Sequence, residues 1–200
     1  ALDSADVEPE IVDPRKFNAP LDPASVHQGA ALEVKPLAWG SMKEVCEPRG
    51  EVPRVVVLDR VSDPHNVGAI LRSAEVFGAR AVIGTLRHAA PETGALAKTA
   101  SGALERQPYL RVRNLARALE ELKEMGYQAV GLDGEADREL SNAYDADQPL
   151  ALVMGAEGPG LRPLTRETCD RIARIPSASA FGSLNVSNAA AIALYETRDA

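Results

Sequence analysis

The sequence is short of aromatic residues, cysteine and long apolar runs, and each shortage excludes something. Only 4% of the 200 residues are Phe, Trp or Tyr, so a core must come from Ala, Val, Leu and Ile. The 45% hydrophobic content supplies enough of them for one domain, or one domain with an appendage. Cys46 and Cys169 are too few and too far apart for a disulfide framework or a zinc site, and read as free thiols of a reducing cytoplasm. No run approaches the roughly 18 apolar residues of a membrane span. The opening "ALDSADVEPE" has neither the basic nor the apolar segment of a secretory signal. Two phosphate-binding signatures are also missing. The glycines at 155, 158 and 160 do not fit G-x-G-x-x-G, and no G-K-[ST] occurs. This argues against a dinucleotide-dependent dehydrogenase and a P-loop enzyme. His27, His65 and His88 are scattered and read as loop residues, so no metal is expected.

Charge is unevenly spread. The net charge is −7, and residues 1–53 hold ten acids against five bases. Such a balance argues against a non-specific nucleic-acid coat protein. It leaves room for an RNA enzyme with a local basic patch, because 17 of the 22 basic residues are Arg. Arginine suits bidentate contact with oxyanions better than diffuse attraction.

Residues 1–29 are rich in Pro and Asp and show no sustained period, which predicts irregular structure. "AALEVKPLAW" (30–39) is expected to hold a short strand. From Pro53 the texture changes. Short aliphatic runs, "RVVVLD", "RAVIG", "PYLRV", "YQAVGLD", "LALVMG" and "RIARIP", alternate with helical patterns. The runs do not alternate in polarity, as expected of strands buried on both faces. In "NLARALEELKEMG" (114–126) one face carries Leu115, Ala118, Leu119, Leu122 and Met125, with Asn114 as N-cap and Gly126 beyond the end. This alternation predicts an α/β domain, a mostly parallel sheet flanked by helices, over 53–200.

Ligands of such sheets bind beyond the carboxyl ends of the strands, and three segments there stand out. In "DPHNVGAILRSAEVFGA" the stripe Val67, Ile70, Ala74 and Phe77 faces the core. Arg72 lies about 200° round the helix from Ile70. By pattern alone Arg72 is a solvated arginine and Asn66 an N-cap. "GAEGPGLR" (155–162) sets Glu157 in nearly bare backbone, which serves a tight turn or a ligand site equally well. "SLNVSNAAAIALYE" (183–196) begins a helix apolar on nearly every side, expected to be buried all round. Ser183 or Asn185 would cap it, and Asn185, Ser187 and Asn188 would need hydrogen-bond partners if buried.

In their order, "NVGAILRSAEVFGA", "LVMGAEGPGL" and "IPSASAFGSLNVSNAAA" resemble the three motifs of the SpoU/TrmH family of RNA 2′-O-ribose methyltransferases, within the SPOUT superfamily. "KTASGALERQP" (98–108) is also similar. So is "VHQGAALEVKPL" (26–37), which in the ribosomal-RNA guanosine branch joins an RNA-recognition domain to the catalytic one. The resemblance covers about residues 26–198. It implies a C-terminal deep trefoil knot, which no pattern would have proposed, and a homodimer packed through the knot region. It implies S-adenosylmethionine as cofactor, held by Gly155, Ile175 and Leu184. It implies a catalytic group of Asn66, Arg72, Glu157, Ser183 and Asn185, and a ribosomal-RNA guanosine as substrate in the cytoplasm. A transfer-RNA substrate and a non-catalytic assembly factor are the alternatives. Relatives in this branch carry a complete upstream recognition domain, which about 50 residues cannot hold. Residues 1–52 are therefore expected to be a linker or the remnant of one.

Overall fold

The computed structural model describes residues 8–19, 21, 27, 29–178 and 184–198. The chain divides into two compact units between Pro36 and Leu37. In the first unit the Asp13 carboxylate caps a 3₁₀ turn, Pro14–Lys16, by accepting from the Arg15 amide at 2.8 Å. Phe17 stacks on His27 with ring centroids 4.7 Å apart. The strand expected within 30–39 does not form. Leu32 and Val34 remain 68% and 70% exposed, and among the described residues 30–39 joins no β-ladder.

The second compact unit begins at Leu37. A capping box between Ser41 and Glu44 starts α1 (Met42–Cys46). This helix carries Met42, Val45 and the buried Cys46 onto the core beside Trp39. These few apolar residues tie 37–52 to the sheet. No hydrophobic period in so short a stretch announced them.

The remaining elements are β1 (Arg54–Asp59), α2 (Pro64–Val76), β2 (Ala81–Thr85), α3 (Gly94–Ala100), β3 (Tyr109–Val112), α4 (Leu115–Glu124), β4 (Gln128–Leu132), β5 (Leu150–Gly155), α5 (Pro163–Thr168), β6 (Arg171–Ala173) and α6 (Val186–Glu196). All six strands are parallel, in the order β3-β2-β1-β5-β4-β6. Because successive strand residues point to opposite faces, each apolar run feeds two cores. Val56, Leu58, Leu150, Leu152 and Met154 pack beneath α2, α3 and α6. Val55, Val57, Ala151 and Val153 pack against α1 and α4. That division explains why the runs are uniformly apolar.

β1 and β5 lie side by side at the centre, with Asp59 paired to Gly155 at their carboxyl ends. The chain builds β2 and β3 on one side of β1, then crosses to the other to make β4. The loops after β1, β4 and β5 thus open at one topological switch point, where ligands of such sheets bind.

α6 departs from its expected burial. Val186, Ala190, Ala193 and Leu194 are buried in the core shared with α2 and β5, but Ile192 and Tyr195 are 39% and 55% exposed. The chain covers one side of an all-round apolar helix and leaves the other open. Asn185 and Asn188 are exposed and Ser187 half-buried, so the cost of burying them does not arise. The implied knot depends on the path of residues 179–183, which lie outside the described residues.

Candidate functional site

Helix α2 begins with Asp63, whose carboxylate accepts from the His65 amide at 2.9 Å, and with Pro64 in the first turn. Asp63, rather than Asn66, is therefore the cap, and His65 lies in the helix rather than a loop. Asn66 sits in the first turn, half-buried, with its side chain free for other use. At the other end Gly78 takes φ +69° just past the helix, as its position suggested.

The use of Asn66 comes from 119 residues away. Asn185 Nδ2 donates to Asn66 Oδ1 at 2.9 Å and also to Glu157 Oε1. Asn185 is the N-cap of α6, its Oδ1 accepting from the Ser187 amide at 2.9 Å and the Ser187 hydroxyl at 2.6 Å. Both amide hydrogens and both lone-pair directions of this carboxamide are thus engaged. Reversing the amide would set oxygen against two oxygens, so its orientation is determined. The Val186 amide adds a longer bond to Glu157 Oε1, 3.4 Å. A carboxylate here is favoured by the positive end of α6. Three of the five expected catalytic residues, Asn66, Glu157 and Asn185, are therefore joined. Ser183 lies outside the described residues. Arg72 is exposed on α2, as its helical angle predicted, and forms no hydrogen bond or ion pair among the described residues.

Beside this triad lies a cavity of about 540 Å³. Its floor and walls are Leu132, Met154, Ile175, Leu184, Val186 and Ala189, with the loop from Gly155 to Gly160 and the acids Asp133 and Glu135. Gly155, Ile175 and Leu184, expected together from the resemblance, all line it. The loop turns back on itself through the Gly160 amide, which donates to the Ala156 carbonyl at 2.9 Å. Gly158 and Gly160 adopt φ +84° and +66° there. Gly155 has a different reason for being glycine. A Cβ on it would lie 2.3 Å from the Gly160 carbonyl carbon and 2.5 Å from the Leu161 nitrogen. That space is filled by the returning loop rather than left open for a ligand, as bare backbone had suggested.

What holds the loop down was not foreseen. Asp59, fully buried, accepts from the Arg162 amide at 2.9 Å and from Arg162 Nε at 2.7 Å. The clue was a lone carboxylate closing the apolar run "VVVL" (55–58) at a strand's carboxyl end. Asp133 is held below the usual carboxylate range by a hydrogen bond from the Glu135 amide and by its ion pair with Arg166. It therefore presents a charged oxygen at the cavity at neutral pH.

The cavity's size and lining suit a nucleoside-sized ligand with apolar and polar parts. Its acids suit one that carries positive charge. A family model of the SpoU rRNA Methylase family matches residues 53–195. The chain belongs to this family. It is 45% identical over 174 residues to the 23S rRNA (guanosine-2′-O-)-methyltransferase RlmB of Pseudomonas putida, spanning 86% of this chain and 70% of that one. An RlmB from a Burkholderia species is 45% identical over 194 residues, 96% of this chain and 78% of its own. Among solved structures, the SpoU methyltransferase AviRb of Streptomyces viridochromogenes in complex with AdoMet superposes with a TM-score of 0.70 at 32% identity, covering 79% of this chain and 60% of AviRb. This SpoU chain therefore spans less than two thirds of that structural neighbour.

Proposed function

We propose that the chain transfers a methyl group from S-adenosylmethionine to a ribose 2′-hydroxyl of RNA, at a guanosine of 23S ribosomal RNA. The observation that carries this reading is the Asn66–Asn185–Glu157 cluster at the mouth of the cavity in a SpoU-family chain. When bound, S-adenosylmethionine supplies an electrophilic methyl on a sulfonium. Gly155, Ile175 and Leu184 would hold it, with Leu132 and Val186 against its apolar surface and Asp133 offering an acceptor.

The residues of the chain then have two tasks. The first is positioning, since reacting atoms must be held about 3–3.5 Å apart and in line. Asn185, its orientation determined by four hydrogen bonds, and Asn66 orient the ribose, while the Glu157 carboxylate accepts or relays the hydroxyl proton. The second is to stabilise the negative charge that develops on the attacking oxygen. Arg72, exposed and without a hydrogen-bond or ion-pair partner among the described residues, is the residue the family motif assigns to bind the adjacent phosphate and that oxygen, in its own site or a partner's. An arginine pKa above about 12 argues against its acting as general base. Ser183, outside the described residues, is assigned to the same group by the family motif alone.

A homodimer packed through the knot region accords with this chemistry. The open side of α6, Ile192 and Tyr195, and the exposed Val76 near the end of α2 offer apolar surface to a second copy. Among the described residues no helix is long and apolar enough to cross a membrane; an enzyme acting on ribosomal RNA would work in the cytoplasm.

The test is incubation of the purified protein with S-adenosylmethionine labelled in its methyl group and in vitro-transcribed 23S rRNA or tRNA. The result expected is label on a ribose 2′-oxygen of one guanosine in the 23S transcript. Label on a base, or none on either RNA, would overturn the reading.

A further inference from the structure

Arg60 follows the last residue of β1 and has φ +61°. This is the left-handed region that a residue bearing Cβ enters only at a cost. Its neighbours impose the conformation. Asp59 is fully buried and bonded to Arg162, and Val61 is also buried, so the backbone is pinned on both sides and Arg60 is turned to solvent.

The outward guanidinium does not serve the acids nearest in sequence. Asp59 is satisfied by two hydrogen bonds from Arg162, and Asp63 caps α2. Arg60 forms no hydrogen bond or ion pair among the described residues. Because Asp59 pairs with Gly155 in the parallel register, the chain leaves β1 at Arg60 at the same level as it leaves β5 at Ala156, one residue before Glu157 in the loop that walls the cavity. In a chain of net charge −7, a polyanion is held by cations placed locally, and a free arginine is the group that best matches a phosphate.

We infer that Arg60 is an RNA-phosphate contact on the rim of the site, one that holds the substrate strand beside Glu157 and Asn185. The inference rests on the RNA methyl-transfer reading above. It assigns a use to a conformation that glycine would adopt more cheaply. Strained backbone persists where the surrounding structure over-determines it, and clusters at sites of function.

The experiment compares wild type, Arg60→Gly and Arg60→Lys in filter binding to in vitro-transcribed 23S rRNA from 50 to 200 mM salt. Binding of S-adenosylhomocysteine and thermal melting are measured alongside. Arg60→Gly is expected to weaken RNA binding roughly three- to tenfold and to lower the salt slope by about one. Its ligand affinity should be unchanged and its melting temperature no lower than wild type. Arg60→Lys should recover part of the affinity. Equal affinity and slope for wild type and Arg60→Gly would overturn the inference, as would a wild type that binds no transcript. A wild type that binds RNA but transfers no methyl would sink the methyl-transfer reading alone, with the Arg60 comparison still decided by the salt slopes.

Discussion

Asp59 and Arg162, 103 residues apart in sequence, are joined by two hydrogen bonds, one to the Arg162 amide at 2.9 Å and one to its Nε at 2.7 Å. The pair ties the end of β1 to the start of α5 and so closes the loop that walls the cavity. Asp59→Ala removes both acceptors. It is expected to cost about 1–3 kcal/mol in denaturant unfolding and to weaken cofactor binding in calorimetry. Arg162→Ala leaves the amide bond in place and should cost less. Equal losses in the two variants would show that the backbone bond contributes nothing.

Gly155→Ala drives a methyl into the main chain of Gly160 and Leu161. These contacts are all to backbone atoms, so the loop must move as a unit. Loss of measurable cofactor binding is expected, with the sheet retained by circular dichroism. Wild-type affinity would mean that the loop tolerates displacement.

Asn185 has two duties that one substitution separates. Asn185→Asp keeps an acceptor for the Ser187 amide but loses the donor to Asn66 and Glu157 and adds a like charge beside Glu157. Methyl transfer should fall at least about a hundredfold while the helix cap survives. Asn185→Ala should lose activity and, in addition, about 1 kcal/mol of stability. A stable, active Asn185→Asp would remove this residue from the catalytic group.

Arg72→Ala should leave stability within about 0.5 kcal/mol, because the side chain is exposed and has no partner among the described residues. Methyl transfer should be abolished and cofactor affinity stay within a few-fold. Loss of cofactor binding in this variant would show that the assigned role is wrong.

Burial pushes the Cys46 and Cys169 thiols up to about 12. An unfolded thiol ionises near 8.5. The fold thus favours the neutral form, and this contribution is complete below about pH 8.5 and is lost as pH rises above it. Buried Tyr109, also pushed up to about 12, acts in the same direction above about pH 10. Urea midpoints should fall between pH 8 and 10.5. Both thiols should react with Ellman's reagent at least about tenfold more slowly in the native protein than in urea. Fast native reaction at pH 8 would contradict the burial.

Much of the fold was legible because strand and helix periods are local. Uniform aliphatic runs marked β1 to β6, the Asn114 and Gly126 signals bounded α4, and 100° spacing set Arg72 on the outer face of α2. The position of 37–52 was not legible, since only contact with the sheet turns Trp39, Met42, Val45 and Cys46 into core. For the same reason 30–39 looked like a strand, although a strand forms only where a partner backbone completes its ladder, which the local sequence does not encode.

The site divides in the same way. Sequence alone determined which residues stand at the carboxyl ends of the strands, and the order of three motifs was enough to name the family. Only tertiary structure decided that Asn66 is bridged rather than capping, that Gly155 is packed by its own loop, and that Asp59 holds Arg162. Each of these is a contact between segments far apart in the chain. A hydrogen bond across 103 or 119 residues leaves no period in the sequence. It exists because a parallel sheet brings the ends of β1 and β5 together.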